Sequence, residues 1–199
     1  VSQVTAVSRA AGQAAGVRLT LEGGKKVSRE KVGAPQGTVI AVANLFYNVP
    51  ARLKFLKSVT TERRLIDEYV TRYALAYPGV RFRLSHDSRI TFQSSGSGRL
   101  TDVLTAVYGP DTAKQLLELE VDEPDFDVPE SGATDPPAAG RIRVSGYAGP
   151  PSLHYANRNH ITLYVNGRGI KDNSLTYAVI RAYHTLLPTG RYPLAVGNC

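Results

Sequence analysis

The sequence predicts an α+β fold, and three stretches carry that expectation. Residues 38–42 are an apolar, largely β-branched run, too short for a helix and suited to a buried strand. Within 60–76, Leu65, Ile66, Tyr69, Val70 and Tyr73 recur at helical spacing and form an apolar stripe. Residues 160–187 read as an alternating strand, an Asn166-Gly167 turn and an amphipathic helix. Strands closed by short turns, with helices in separate runs, give an antiparallel sheet with packed helices in each of two parts.

Each element follows in order. Residues 2–8 alternate as a strand, and Val17, Leu19 and Leu21 share one face of a second. Gly23-Gly24 turns the chain into 25–32, a charged edge strand. The loop 10–16 is built of small residues and lacks a phosphate-loop lysine. After the strand 38–42, Asn44 breaks the run, Leu45-Phe46-Tyr47 forms an aromatic plug, and Asn48 stands where it can cap a helix. Pro50 fits the first turn of that short helix, where its missing N–H costs nothing. Leu53, Phe55 and Leu56 face inward, while Lys54 and Lys57 lie three apart on one face. Thr60 or Thr61 caps the next helix, with Glu62 in its first turn, and its apolar stripe is assigned to the core. Tyr77-Pro78-Gly79 ends it, and a hairpin follows around His86-Asp87-Ser88.

Ser94-Ser95-Gly96-Ser97-Gly98 has linker composition and divides the chain into domains at 1–96 and 97–199. Beyond it, short helices are expected at 100–107 and 112–119. Residues 120–139, with four prolines and one sign of charge, are expected to be an exposed mobile loop. Strands follow at 141–148 and 160–165, separated by a loop that holds His154 and Tyr155. Asp172 or Asn173 caps the last helix, 175–187, whose buried face is Leu175, Ala178, Val179, Ala182 and Leu186. Pro188 stops it, and a final strand begins at 191. There is no internal repeat.

Composition narrows the function. No run of eighteen apolar residues exists, so no membrane span is expected. The chain begins at Val1 and has no methionine, which reads as an internal piece of a longer product. Its one cysteine, Cys199, allows no internal disulfide and points to a reducing, cytoplasmic setting. The four histidines show no metal-ligand spacing, so no metal site is expected. The net charge of +7 is uneven: 118–135 holds eight of the seventeen acids and no base, which leaves the remainder with 24 basic against 9 acidic residues. Such an excess favours polyanion partners, nucleic acid first.

The words of the central stretch are specific. Gly37-Thr38, then Leu45-Phe46-Tyr47-Asn48-Val49-Pro50-Ala51-Arg52-Leu53-Lys54-Phe55-Leu56-Lys57, resembles the last nucleotide-site motif of the MutL mismatch-repair family, split ATPases of the GHKL superfamily. Val165-Asn166-Gly167-Arg168, followed by Lys171-Asp172, resembles that family's transducer domain. The resemblance implies that 1–96 is the C-terminal part of a GHKL-type ATPase domain. It implies that 97–199 is a ribosomal-protein-S5-domain-2-like α/β sandwich, truncated at its C-terminus. It further implies DNA mismatch repair in a bacterial cytoplasm, associated with the nucleoid when active. A homodimeric parent would use ATP and Mg and engage DNA and other repair proteins.

Residue by residue, the resemblance assigns Gly37 and Thr38 to the adenine end of ATP, and Lys54, Lys57 and Arg168 to the DNA backbone. Lysines and arginines on short rigid elements can bond phosphate without reading bases. No basic run interleaved with aromatics is evident, so stacking on bases is not expected. The family's general-base Glu, metal-ligand Asn, Asp-x-Gly-x-Gly turn and Gly-rich lid are missing from these residues, so no catalytic residue is assigned and no bound cofactor or ATP turnover is expected. An alternative stays open: a non-enzymatic S5-like nucleic-acid-binding module whose first sheet is only structural.

Overall fold

Four antiparallel strands account for most of the first half-hundred residues: β1 (Gln3–Arg9), β2 (Gly16–Glu22), β3 (Lys25–Val32) and β4 (Gly37–Ala43), in the order β3-β2-β1-β4. The alternation read from the sequence sets their register. Val4 lies opposite Leu21 and Val42, and Ala6 opposite Leu19 and Ile40, which gathers the apolar side chains on one face. A computed structural model gives this arrangement and describes residues 1–124 and 141–199. They form two compact units, Val1–Glu62 and Arg63–Cys199.

In the first unit β4 is an edge strand and is exposed along its length, with Val39, Ile40 and Val42 each more than half accessible. The chain leaves it through Asn44 and Phe46, both in the left-handed region at φ 51° and 65°. That conformation is uncommon for a ring-bearing side chain and marks a backbone held by its surroundings. Asn44 is fixed by its side-chain bond to Gln3, and the Phe46 amide donates to the Val1 carbonyl. Helix α1 (Pro50–Leu53) starts on Pro50 as expected, but Asn48 does not cap it; Val49 holds that position without a side-chain bond. Asn48 instead lies over the β2–β3 turn, where a Cβ on Gly23 would meet its amide nitrogen at 3.1 Å and the Tyr47 hydroxyl at 3.2 Å. Phe55, expected to pack inward, is 83% exposed.

Helix α2 (Val59–Ala76) runs across the division between the units. Its start is held by Ser58 rather than by Thr60 or Thr61: the Ser58 hydroxyl accepts from the Thr61 amide, and Glu62 accepts from the Lys57 amide at 2.9 Å. The stripe assigned to the core is not its buried side. Ala74 and Leu75 are buried, whereas Ile66, Tyr69 and Tyr73 are exposed. Small Ala74 permits the close approach that the bulky stripe would forbid.

The second unit continues with the hairpin β5 (Arg83–His86) and β6 (Arg89–Gln93), then α3 (Leu100–Tyr108) and α4 (Pro110–Ala113). The stretch read as a linker begins inside this unit's packing. Ser94 is buried, its hydroxyl donating to the Val80 carbonyl and accepting from the Phe82 amide at 2.9 Å. Helices α2 and α3, on either side of 94–98, share one core of Ala74, Leu75, Val103, Leu104, Tyr164, Leu194 and Val196. The compact units divide after Glu62, whereas composition placed a boundary at 96.

Strand β7 (Leu117–Pro124) replaces the helix expected at 112–119 and takes in the first residues of the expected loop. Leu117, Leu119 and Val121 alternate with Glu118, Glu120 and Asp122, a period of two that the acidic composition hid. The rest of that loop, 125–139, lies outside the described residues. Strand β8 (Arg141–Ala148) pairs with β7, and Arg143 reaches across to Asp122 at 3.3 Å. Then come β9 (His154–Tyr155), a 3-10 turn at Arg158–His160, β10 (Ile161–Val165), β11 (Arg168–Ile170), α5 (Asn173–Ala182), β12 (Tyr192–Pro193) and β13 (Ala195–Asn198).

Five of these strands form a sheet in the order β11-β10-β13-β8-β7, antiparallel except where β10 meets β13. Gly146 is obligatory in its centre, since a Cβ there would stand 2.0 Å from the Val196 carbonyl oxygen. Asp172 caps α5 as expected, accepting from the Leu175 amide at 2.8 Å. The expected buried face of that helix does not form. Leu175 and Leu186 are exposed, and the half-buried side is Thr176, Val179, Ile180 and Tyr183, four residues again at helical spacing but turned from the predicted face.

Candidate nucleotide and nucleic-acid positions

Gly37 opens β4 at φ +122°, a conformation that favours glycine, and Thr38 follows it on the exposed edge. The Thr38 hydroxyl meets that of Ser8 across the β1–β4 pair at 2.8 Å. Two hydroxyls that share one proton bridge leave one O–H free to turn outward, so the pair can offer both a donor and an acceptor to a polar ligand edge. Ser8 was not singled out from the sequence; its place opposite Thr38 is fixed by strand register, which no local pattern declares.

Lys54 and Lys57 belong to the same unit. Lys54 is the C-terminal residue that closes α1, and the turn continues through the Phe55 and Leu56 amides, which donate to Arg52 and Leu53. Both lysines are exposed, and neither ammonium has a carboxylate partner among the described residues. The Lys57 backbone is pinned by Glu62, so the charge stands on a fixed base.

Arg168 belongs to the second unit, at the first position of β11 directly after the Asn166-Gly167 turn. Asn166 and Gly167 take φ 50° and 72°, the signature of the tight hairpin turn that the sequence predicted. The turn is tied down from the end of β13 and the residue after it: the Asn166 amide donates to the Cys199 carbonyl, and the Gly167 amide to the Asn198 side chain at 3.2 Å. Arg168 is exposed and has no carboxylate partner among the described residues. A guanidinium on an anchored turn loses little freedom when it meets a phosphate.

Two aromatic groupings in this unit went unread as sites. Tyr69, Tyr73 and Tyr77 stand in a row along α2 and its end, with ring centroids 5.6 and 6.3 Å apart. Their four-residue spacing is plain in the sequence, but it was absorbed into the core stripe. Elsewhere the Tyr155 and His160 rings stack at 3.5 Å, with Tyr108 at 6.2 Å from His160. Burial pushes the Tyr108 phenol up to about 12 and holds the His160 imidazole below its ordinary value. Among the described residues no group of three or more His, Cys, Asp or Glu could hold a metal ion, and no helix is long and apolar enough to cross a membrane.

Comparison with known proteins places these positions in context. A family model described as DNA mismatch repair protein, C-terminal domain, matches residues 104–198. The DNA mismatch repair protein MutL of Geobacillus kaustophilus strain HTA426 is 42% identical over 183 residues, covering 92% of this chain and 26% of that protein. The MutL protein of Listeria monocytogenes serotype 4b strain F2365 is 40% identical over 185 residues, 93% of this chain and 28% of that one. The chain thus spans about a quarter of the length of these relatives. Among solved structures, the Aquifex aeolicus MutL ATPase domain complexed with ADP superposes with a TM-score of 0.71 at 24% identity, over all of this chain and 68% of that one. The N-terminal domain of a DNA repair protein gives 0.82 at 18%, over all of this chain and 60% of that one. At such identities the structural matches speak for the fold.

Proposed function

Over the segment that it spans, the chain belongs to the MutL family of DNA mismatch repair proteins, and on that premise we propose that it contributes a DNA-backbone surface and part of a nucleotide site. Lys54, Lys57 and Arg168 each neutralise one phosphate, without reading bases. Gly37 and Thr38 meet the adenine end of ATP, with the Ser8 hydroxyl as the partner of Thr38. In the whole protein, ATP and Mg binding is coupled to engagement of DNA and of other repair proteins by a homodimer in the bacterial cytoplasm. The part we assign to this chain within that cycle is to bind and position.

The observation that carries this proposal is Arg168: an exposed guanidinium without a carboxylate partner among the described residues, on a turn anchored by two hydrogen bonds, inside the region matched by the family model. The curated similarity runs over more than nine-tenths of the chain, first unit included, which favours this function over a free-standing S5-like module. Salt titration of duplex binding tests it. Arg168→Ala is expected to lower the slope of log affinity against log salt by about 0.9, equally on two unrelated duplexes. An unchanged slope, or a loss confined to one sequence, overturns the phosphate assignment.

A further inference from the structure

We propose that Asn166 is a site of spontaneous succinimide formation, and that the Asn198 side chain holds that reaction in check. Asn166-Gly167 is the one Asn-Gly pair in the sequence. Glycine has no side chain to shield its own amide nitrogen, so an Asn followed by Gly is the pairing most open to ring closure. The Gly167 amide gives its proton to hydroxide, and its nitrogen attacks the side-chain carbonyl carbon of Asn166. A nitrogen–carbon bond forms, the bond to the side-chain amino group breaks, and ammonia leaves with a proton taken from water. Water then opens the five-membered ring at either carbonyl, to give aspartate or isoaspartate. The net change is an amide plus water to a carboxylic acid plus ammonia, with nothing oxidised or reduced.

Asn166 is exposed, so water and hydroxide reach its side chain. The nucleophile is not free, because the Gly167 amide donates to the Asn198 side-chain oxygen at 3.2 Å. An acceptor on the protonated amide favours that form over the anion, and so lowers the fraction of nitrogen able to attack. The turn conformation opposes closure as well. Asn166 and Gly167 stand at φ 50° and 72°, the positive pair of a type I′ turn, in which ψ of the first residue is about +30°. The ring contains the bond that ψ describes and twists it well away from that value, so the hairpin must open before nitrogen meets carbon. Asn198 resists that opening, together with the Cys199 carbonyl, which accepts from the Asn166 amide at 2.8 Å. Tyr77 stands against the same turn, its ring and hydroxyl 3.9 Å from where a Cβ on Gly167 would lie. Either product places a carboxylate beside Arg168. Isoaspartate also adds one carbon to the backbone of a turn that pairs Val165 with Arg168.

The test keeps the 199-residue chain in mildly alkaline buffer, folded or in guanidinium chloride, and samples it over weeks. Trypsin releases residues 159–168 as one peptide, and tandem mass spectrometry reads the gain of one mass unit at Asn166 apart from Asn159. The folded wild type is expected to react at least about tenfold more slowly than the unfolded chain. Asn198→Leu keeps bulk, removes the acceptor and is expected to react about fivefold faster than folded wild type, the rate equivalent of one net hydrogen bond. Asn198→Asp keeps an acceptor and should stay within about twofold of wild type. In guanidinium chloride all three should react alike, since no turn is held there. Equal rates for the folded and unfolded wild type, a Leu variant as slow as wild type, or an Asp variant as fast as the Leu variant overturns the guard. A spread among the unfolded variants as wide as among the folded ones overturns it too. Faster gain at any other Asn of the folded chain overturns the site. Asn198→Ala, measured beside the others, carries the same expectation without added bulk, so a Leu variant that fails to fold leaves the test standing.

Discussion

The hydroxyl of Tyr164 donates a 2.7 Å hydrogen bond to the carbonyl oxygen of Arg72. This bond ties the middle of α2 to β10, the strand that leads into the Arg168 turn. Tyr164 is itself buried in the core with Ala74 and Leu75. Tyr164→Phe keeps the ring and removes the bond, and is expected to cost about 1 kcal/mol of stability. Urea denaturation followed by circular dichroism measures it, with the midpoint shifted and the slope unchanged. A variant as stable as wild type would show that the ring alone fixes the helix.

Burial raises the Tyr108 phenol from 10 to about 12. A group whose neutral form is favoured by folding contributes stability that is whole below its unfolded value and is lost as pH rises toward the folded one. Stability should therefore decline between about pH 10 and 12, by roughly 2–3 kcal/mol from this residue. Tyr164 is raised further by burial and adds its share at the alkaline end of the range. Tyr108→Phe should flatten part of that decline in melting curves taken at stepped pH.

His160 gives the opposite limb. It stacks on Tyr155 with Tyr108 close by and the Arg158 cation on the same turn, and burial depresses its affinity for a proton. Its contribution is present above the ordinary histidine value of about 6.5 and fades as pH falls below that toward the folded value. The half-buried carboxylate of Asp102, held below its usual value by the Ser97 hydroxyl and Arg99, loses its contribution only under more acid conditions. Melting temperatures between pH 7.5 and 5 should drop for the wild type and drop less for His160→Gln. Identical profiles would refute the role given to His160.

Much of this fold was written in the sequence where one local rule sufficed. The four strands of the first sheet, the Pro50 helix start, the Asn166-Gly167 turn and the Asp172 cap each depend on a few neighbouring residues with a definite physical preference. The failures share one cause: they turn on what lies across space. Helix α2 shows a bulky stripe, yet it buries Ala74 and Leu75, because the core it shares with Val103, Leu104, Tyr164 and Val196 decides which side is covered. Ser94 reads as linker by composition, but the Val80 and Phe82 backbone groups that take up its hydroxyl come from the preceding hairpin. At 117–122 the acidic charge masked a period-two strand. Among the site positions, the anchored turn under Arg168 was legible, whereas the Ser8–Thr38 pair and the Tyr77–Gly167 proximity follow only from register and packing.

The backbone surface makes one further demand, on additivity. Lys54 and Lys57 stand three residues apart at and after the end of α1 in one unit, Arg168 stands on β11 in the other, and none has a carboxylate partner among the described residues. If each neutralises one phosphate independently, the three together contribute about −2.7 to the slope of log affinity against log salt, at ~0.9 per contact. A fourfold rise in salt then weakens binding about 40-fold through these contacts alone. Lys54→Ala with Lys57→Ala should lower the slope by about 1.8, Arg168→Ala by about 0.9, and the triple variant by their sum, because sites without shared partners add. Each exposed substitution should leave the melting temperature almost unmoved. A triple variant no worse than Arg168→Ala would mean that the lysines face solvent rather than DNA, and that the surface is confined to the second unit.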